Sequence, residues 1–123
     1  MNKPNAFPKS QRLCSRYLID KLFMPGNSRS QSSYPLRLVY HFEDGEGENE
    51  LLISVPKRCF KHAVDRNHVK RQVREAYRNN RDLIHLKENT RALMAMIWLD
   101  NKHYPSAVVT AKVRNLLQRM SES

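Results

Sequence analysis

Apolar and polar positions change period several times along this 123-residue chain, and each change marks an element. Leu18 with Leu22, and Ile19 with Phe23, fall four residues apart, as one face of a helix requires. They predict a helix from about Arg16 to Phe23, with Ser15 as N-cap and Pro25-Gly26 as its stop. The polar run "NSRSQSS" reads as a loop. "PLRLVYHF" then alternates, which puts Leu36, Leu38, Tyr40 and Phe42 on one side of a strand. "ELLISVP", closed by Pro56, reads as its partner, with the acidic, Gly-containing "EDGEGENE" as the hairpin connection. Asp65 stands as N-cap of a helix over "RNHVKRQVREAYRNNR", residues 66–81. "RALMAMIWL" is apolar almost throughout, the pattern of a central strand covered on both faces, although its length also suits a buried helix. Val109, Val113, Leu116, Leu117 and Met120 keep helical spacing in a last helix that starts after Ser106.

Helix, hairpin, helix, strand and helix in so short a chain predict an α+β fold, a mixed two-layer sandwich forming one domain over residues 1–123. Residues 1–14 read as an extended basic N-terminal segment. No apolar run approaches the roughly 18 residues of a membrane span, and "MNKPNAFPKSQRL" has no apolar stretch that would serve as a secretion signal. The expectation is a cytoplasmic protein with no membrane partner, its Cys14 and Cys59 free thiols in a reducing compartment.

Charge sharpens this outline. The formal net charge is +10 and the pI about 10.0. Five of the 12 acids sit in "EDGEGENE", so 7 acids face all 22 Lys and Arg elsewhere. Such an excess opposes folding by self-repulsion and points to a polyanionic partner, nucleic acid first. On a wheel of about 100° per residue, Val69, Val73, Ala76 and Tyr77 of the second helix share one arc and face the core. Arg66, Lys70, Arg71, Arg74, Arg78 and Arg81 lie beside it with Asn67, and no acid falls among them. His68, Gln72, Glu75 and Asn79 form the third arc. A solvated basic face is the ordinary alternative, and Arg71 is spaced to pair with Glu75. Against it stand Arg66 at the helix start, where the macrodipole favours an anion, and Lys57, Arg58 and Lys61 just upstream.

No catalytic constellation accompanies this charge. Cys59, His62 and His68 are three local residues where a structural zinc site needs four ligands, so no metal is assigned to the protein. Ser-His-Asp and Cys-His arrangements lack supporting context, and most acids lie in the hairpin connection, a flexible and solvated place. Trp98 reads as core; Phe23 and Tyr34 are the better stacking candidates for single-stranded RNA.

"AVDRNHVKRQVREAYR" resembles the Arg-Asn-Arg signature of the bacterial ribonuclease P protein subunit, matching through Ala63, Val64, Arg66, Asn67, Lys70, Arg71, Arg74, Glu75, Ala76, Tyr77 and Arg78. "FPKSQRL", "KLF" and "ISVPKR" resemble further family segments in the right order. Two positions depart: His68 stands where the third signature residue is usually Arg, and Ile19 where an aromatic is common. The resemblance implies an α-β-β-β-α-β-α order, a mixed four-stranded sheet and a left-handed βαβ crossover around the basic helix. It implies RNA contacts by Arg66, Asn67, Lys70, Arg71, Arg74, Arg78, Lys57, Arg58, Lys61 and Arg12, and a cleft for the 5′ leader of precursor tRNA at Ile19, Phe23 and Tyr34. It further implies catalysis by an RNA subunit that holds the Mg2+, with no obligate protein partner and an inactive isolated protein. A DNA-binding module and a ribosomal-type RNA-binding protein are the rival readings; apolar heptads after the basic region, which a zipper needs, are missing from "NNRDLIHLKENT".

Overall fold

The computed structural model describes residues 12–13, 16–24, 26, 28–45 and 47–122. Its elements are α1 (Arg16–Phe23), β1 (Arg29–Ser33), β2 (Leu36–Asp44), β3 (Glu50–Ser54), α2 (Ala63–Asn80), β4 (Thr90–Trp98) and α3 (Ser106–Ser121), with a short 3-10 turn at Arg81–Leu83. This is the α-β-β-β-α-β-α order. Ser15, Pro25, Cys14 and most of the 1–14 segment lie outside the described residues.

The sheet runs β1-β2-β4-β3. β1 and β4 each pair antiparallel with β2, and β3 pairs parallel with β4, so the sheet is mixed and β3–α2–β4 is the crossover. Two expectations need correction. "NSRSQSS" is not all loop, because Arg29–Ser33 forms β1. It is a polar edge strand with no fully buried residue, so it carries no alternating apolar signal. Nor are β2 and β3 a hairpin, since β4 lies between them. Skipping one strand takes only about 10 Å, which the chain between Asp44 and Glu50 spans easily. β4 takes the middle because both its faces are apolar: residues 92–96 are all buried.

One face of the sheet carries α2 and α3. Leu36, Leu38, Tyr40, Leu51, Met94, Met96 and Trp98 meet Val69, Val73, Ala76 and Tyr77 of α2 and Val109, Val113, Leu116, Leu117 and Met120 of α3. The helix arcs expected from spacing are therefore the core faces. Among the described residues, the opposite face carries only α1 and Leu13. Leu22 is buried with Val39, Leu93 and Ala95, while Leu18, Ile19, Leu52 and Ile97 pack around them. A short piece of chain also joins the outer edge of β3: Arg12 bridges Leu51 in parallel, and Leu13 N–H donates to Leu51 O at 3.0 Å.

α2 starts earlier than Asp65 predicts. His62 occupies the N-cap position with extended backbone and no side-chain cap. The Asp65 and Arg66 amides donate to His62 O, so Asp65 lies inside the first turn. There its carboxylate suits the positive end of the helix dipole and binds His103 Nε2 at 3.1 Å.

Candidate nucleic-acid interface

The basic row of α2 is held in place by its apolar arc. Val69 and Val73 are fully buried, Tyr77 nearly so, and burial pushes the Tyr77 hydroxyl up to about 12. Anchoring that side aims the next arc past the β3 edge. There Lys70 and Arg74 line one groove with Arg12, Leu13, Leu51, Leu52 and Ile53. The parallel bridge at Leu51 is what delivers Arg12, from more than fifty residues away in sequence, to the helix. Lys70, Arg71 and Arg74 make no ion pair with any described residue, so their charge is open to an external anion.

Other members of the row are partly committed. Arg66 Nη1 donates to Phe60 O at 2.8 Å and Lys61 O at 3.0 Å. Its place at the helix start thus has a structural account: it clamps the turn that carries Lys57, Arg58 and Lys61, all three exposed. Asn67 is exposed beside it. Arg78 pairs with Glu75, three residues back, where spacing had favoured Arg71. Arg71 lies on the outer flank of the row, facing the furrow between α2 and α3 with His68, Gln72 and Glu75.

The polar arc is less idle than its composition implies. Gln72 Nε2 donates to Tyr104 O at 2.9 Å and to Ser106 Oγ at 3.1 Å, pinning the start of α3. His68 meets the His103 ring edge-on at a centroid distance of 5.2 Å, and His103 stacks on Phe60 at 4.6 Å. His68 therefore braces the β4–α3 connection. Cys59 is buried with its Sγ toward Trp98 O, and burial pushes its thiol up, the opposite of what a thiolate ligand needs.

The α1 side forms a second surface. Ile19 is half-buried against the sheet, and Phe23, one turn on, is 46% exposed. Tyr17, which sequence reading passed over, is the most open ring on α1 at 74%. The floor beyond α1 is the cross-strand row Arg37, Ile97 and Ser54, with Arg37 exposed. Alternation in β2 already sets Arg37 opposite to Leu36 and Leu38, so that cation was legible. Tyr34 is 58% exposed but sits in the β1–β2 turn, at the Leu36 end of β2. It joins Asp100, whose carboxylate is held below its usual range by the Tyr104 hydroxyl, the Asn101 amide and Tyr34 itself. Lys21 reaches β2 near its other end, at Glu43, roughly 25 Å away along the strand. The structure therefore groups Ile19 with Phe23, and Tyr34 with Asp100 and Tyr104.

Two acids of "EDGEGENE", one at the end of β2 and one at the start of β3, correct another expectation. Glu43 and Glu50 are not loosely solvated: their side chains are 15% exposed. Glu43 binds Lys21 of α1 and Arg91 Nη2 at 3.2 Å, and Arg91 Nη1 donates to Glu50 at 2.9 Å. The Lys21 ammonium, and after it Arg91, hold the Glu43 carboxyl below the usual range. Among the described residues no three His, Cys, Asp or Glu side chains converge as metal ligands would. No described helix is long and apolar enough to cross a membrane.

An α+β domain that sets Lys70, Arg71 and Arg74, none ion-paired with a described residue, along one helix beside a sheet edge has the charge pattern of a polyanion-binding domain. Comparison with known proteins identifies its relatives. The Ribonuclease P family model matches residues 7–121, and the chain belongs to that family. A Ribonuclease P protein component from Porphyromonas gingivalis is 41% identical over 101 residues, covering 79% of this chain and 72% of the relative. One from Thioalkalivibrio sulfidiphilus is 35% identical over 75 residues, covering 61% and 60%. The RNase P protein from Thermotoga maritima superposes with a TM-score of 0.68 at 23% identity, covering 88% of this chain and 96% of that one. The Staphylococcus aureus RNase P protein gives 0.71 at 17% identity, covering 91% and 96%. At those identities the two structures speak for the fold.

Proposed function

We propose that this chain is the RNA-binding subunit of a cytoplasmic ribonucleoprotein that removes the 5′ leader from precursor tRNA. The carrying observation is the groove where Arg12, Lys70 and Arg74 converge from two distant parts of the chain. Lys70 and Arg74, which pair with no described acid, leave positive charge in that groove, and a phosphate backbone supplies anions at regular spacing. Arg71, Asn67 and Arg78 extend the contact along α2. Lys57, Arg58 and Lys61 extend it across the turn that Arg66 clamps. The RNA subunit is the partner on this side; it holds the Mg2+ and performs the hydrolysis. The face beneath α1, with Ile19 and Phe23, takes the single-stranded leader, and Tyr34 meets RNA from the β1–β2 turn. Family membership supports this division, as does the commitment of Glu43 and Glu50 to Arg91 and Lys21.

A salt titration tests the reading. Changing Lys70, Arg71 and Arg74 together to Gln should weaken RNA-subunit binding. It should also flatten the slope of log affinity against log salt, by roughly 0.7–0.9 for each phosphate the variant no longer neutralises. A wild-type slope in the triple variant would make the row a solvated face. Protein freed of RNA should not cleave precursor tRNA, and should promote cleavage once the RNA subunit is added at low Mg2+.

A further inference from the structure

α1 is a short helix and, among the described residues, the only helix on its side of the sheet. Its eight residues span about 12 Å, too short to persist without tertiary support. Leu22 is its one fully buried side chain, with Leu18 and Ile19 packing at the margin. Such a contact holds the helix down but fixes its tilt and rotation poorly. A further anchor is polar. Lys21, one residue before Leu22, crosses to Glu43 on β2. Glu43 is not free to follow it, because Arg91, its cross-strand partner on β4, holds the other carboxylate oxygen and binds Glu50 of β3 as well. Three strands therefore fix the carboxylate, and the carboxylate fixes α1.

The connection between β2 and β3 is shaped around this arrangement. Gly45 N–H donates to Asn89 O, and Ala92 N–H donates to Asn49 Oδ1, which seats the connection on the start of β4. Gly47 has φ +147 and lies against the Arg91 side chain, where an added Cβ would come within 3.2 Å of Arg91 Cδ. Arg91 is thus confined between the connection and its two acids.

We infer that Glu43 is a positioning residue for the single-stranded RNA surface: through Lys21 it sets the angle of α1, and with it the width of the space between α1 and the sheet. This rests on the leader reading given above. The alternative is that Lys21 matters as a cation touching RNA phosphate directly. The two predict opposite signs. If Lys21 only supplied charge, removing Glu43 would release it from that acid and delete a repelling charge, and leader affinity would rise. If Glu43 positions α1, leader affinity falls although a negative charge has gone.

The experiment compares the affinity of the holoenzyme, protein with its RNA subunit, for precursor and mature tRNA. The variants are Glu43→Gln, Lys21→Met, Lys21→Arg and Phe23→Ala. Lys21→Met leaves the Glu43–Arg91–Glu50 bridge intact, so it reports on α1 without disturbing the sheet. Glu43→Gln and Lys21→Met should each cut the preference for precursor about fivefold, with RNA-subunit binding unchanged. Lys21→Arg should keep most of the preference. A preference unchanged or raised in Glu43→Gln, while Phe23→Ala loses it, overturns the positioning role alone. No preference in wild type, or none lost in Phe23→Ala, overturns the leader reading and the positioning role with it.

Discussion

The basic row of α2 and the charged network beneath α1 are built from the same side-chain types, yet they use charge in opposite ways. On α2, Lys70, Arg71 and Arg74 make no ion pair with a described acid, and the hydrophobic arc below them does all the anchoring. Beneath α1, Lys21, Glu43, Arg91 and Glu50 neutralise one another and hold backbone elements together. A cation open to solvent is available to a partner and contributes little to stability. A cation among half-buried acids is the reverse. Charge counting cannot separate the two cases; the acid that each cation actually binds does.

The contrast is also one of legibility. The α2 row could be read from sequence because a helix face depends only on spacing: Val69, Val73, Ala76 and Tyr77 fix it locally. The same holds for α3, and in part for β4, whose nearly unbroken apolar run suited a central strand although its length also suited a buried helix. The network depends on which strands are neighbours, and that is not local. A β2–β3 hairpin and a β2-β4-β3 order predict the same alternation within each strand. Only the second puts Arg91 between Glu43 and Glu50. β1 was hidden for a related reason: "RSQSS" is an edge strand whose polarity matches a loop. Arg12 was named through family resemblance, but its meeting with Lys70 and Arg74 needed the bridge to Leu51.

The sharpest way to break the comparison is to remove one cation from each region and measure stability by urea unfolding. Arg91→Met strands Glu50 and leaves Glu43 with Lys21 alone, and both acids are 15% exposed. Losing one partner of a buried pair costs about 3–5 kcal/mol, and exposed pairs contribute only about 0–1 kcal/mol. A loss of about 2–3 kcal/mol is expected for this intermediate site. Arg74→Gln, at an exposed position of the row, should stay within about 0.5 kcal/mol, as exposed substitutions do. Equal losses would erase the distinction between the regions.

A second comparison separates two polar side chains of α2. Gln72→Ala removes both hydrogen bonds to the start of α3 and should cost about 1–2 kcal/mol. Asn67→Ala, exposed on the basic row, should leave the unfolding midpoint where it was and act on RNA binding instead. Sequence spacing places Asn67 on the basic row and Gln72 off it but does not show the bonds from Gln72 to α3, so this pair tests what the structure adds.

Acid titration probes the network without changing its shape. The folded-state pKa of Glu43 is lowered from its ordinary 4.5, chiefly by the Lys21 contact. A depressed carboxyl contributes stability that is fully present above the unfolded pKa and is lost as pH falls through the folded one. The gap in melting temperature between wild type and Glu43→Gln should be constant from neutral pH down to about 5. It should then shrink as the solution becomes more acidic than 4.5. The Lys21 ammonium is shifted upward by the same contact, so its share persists below pH 10.5 and fades in stronger alkali. A gap that widens in acid would mean that Glu43 is not the group held by Lys21 and Arg91.

The smallest expected effect isolates how tightly Arg91 is confined. Gly45 and Gly47 both lie in the β2–β3 connection with positive φ, at +121 and +147. Replacing either with Ala forces a Cβ into a backbone region that suits glycine, a strain of order 1–3 kcal/mol. The surroundings differ. Nothing lies within 4 Å of a Cβ at Gly45, whereas at Gly47 the Cβ would meet Arg91 Cδ at 3.2 Å and Nη1 at 3.3 Å. Each approach is short by only a few tenths of an ångström, and an unbonded arginine would swing away at little cost. An arginine bonded to Glu43 and Glu50 must lengthen one of those bonds to move. Gly47→Ala should therefore destabilise the protein by about 0.5–1 kcal/mol more than Gly45→Ala, the scale of one weakened hydrogen bond. In an Arg91→Met background the extra loss should vanish, because the double variant no longer has a bonded guanidinium to displace. If the difference between the two glycines survives there, the crowding belongs to the connection itself and Arg91 is not what shapes it.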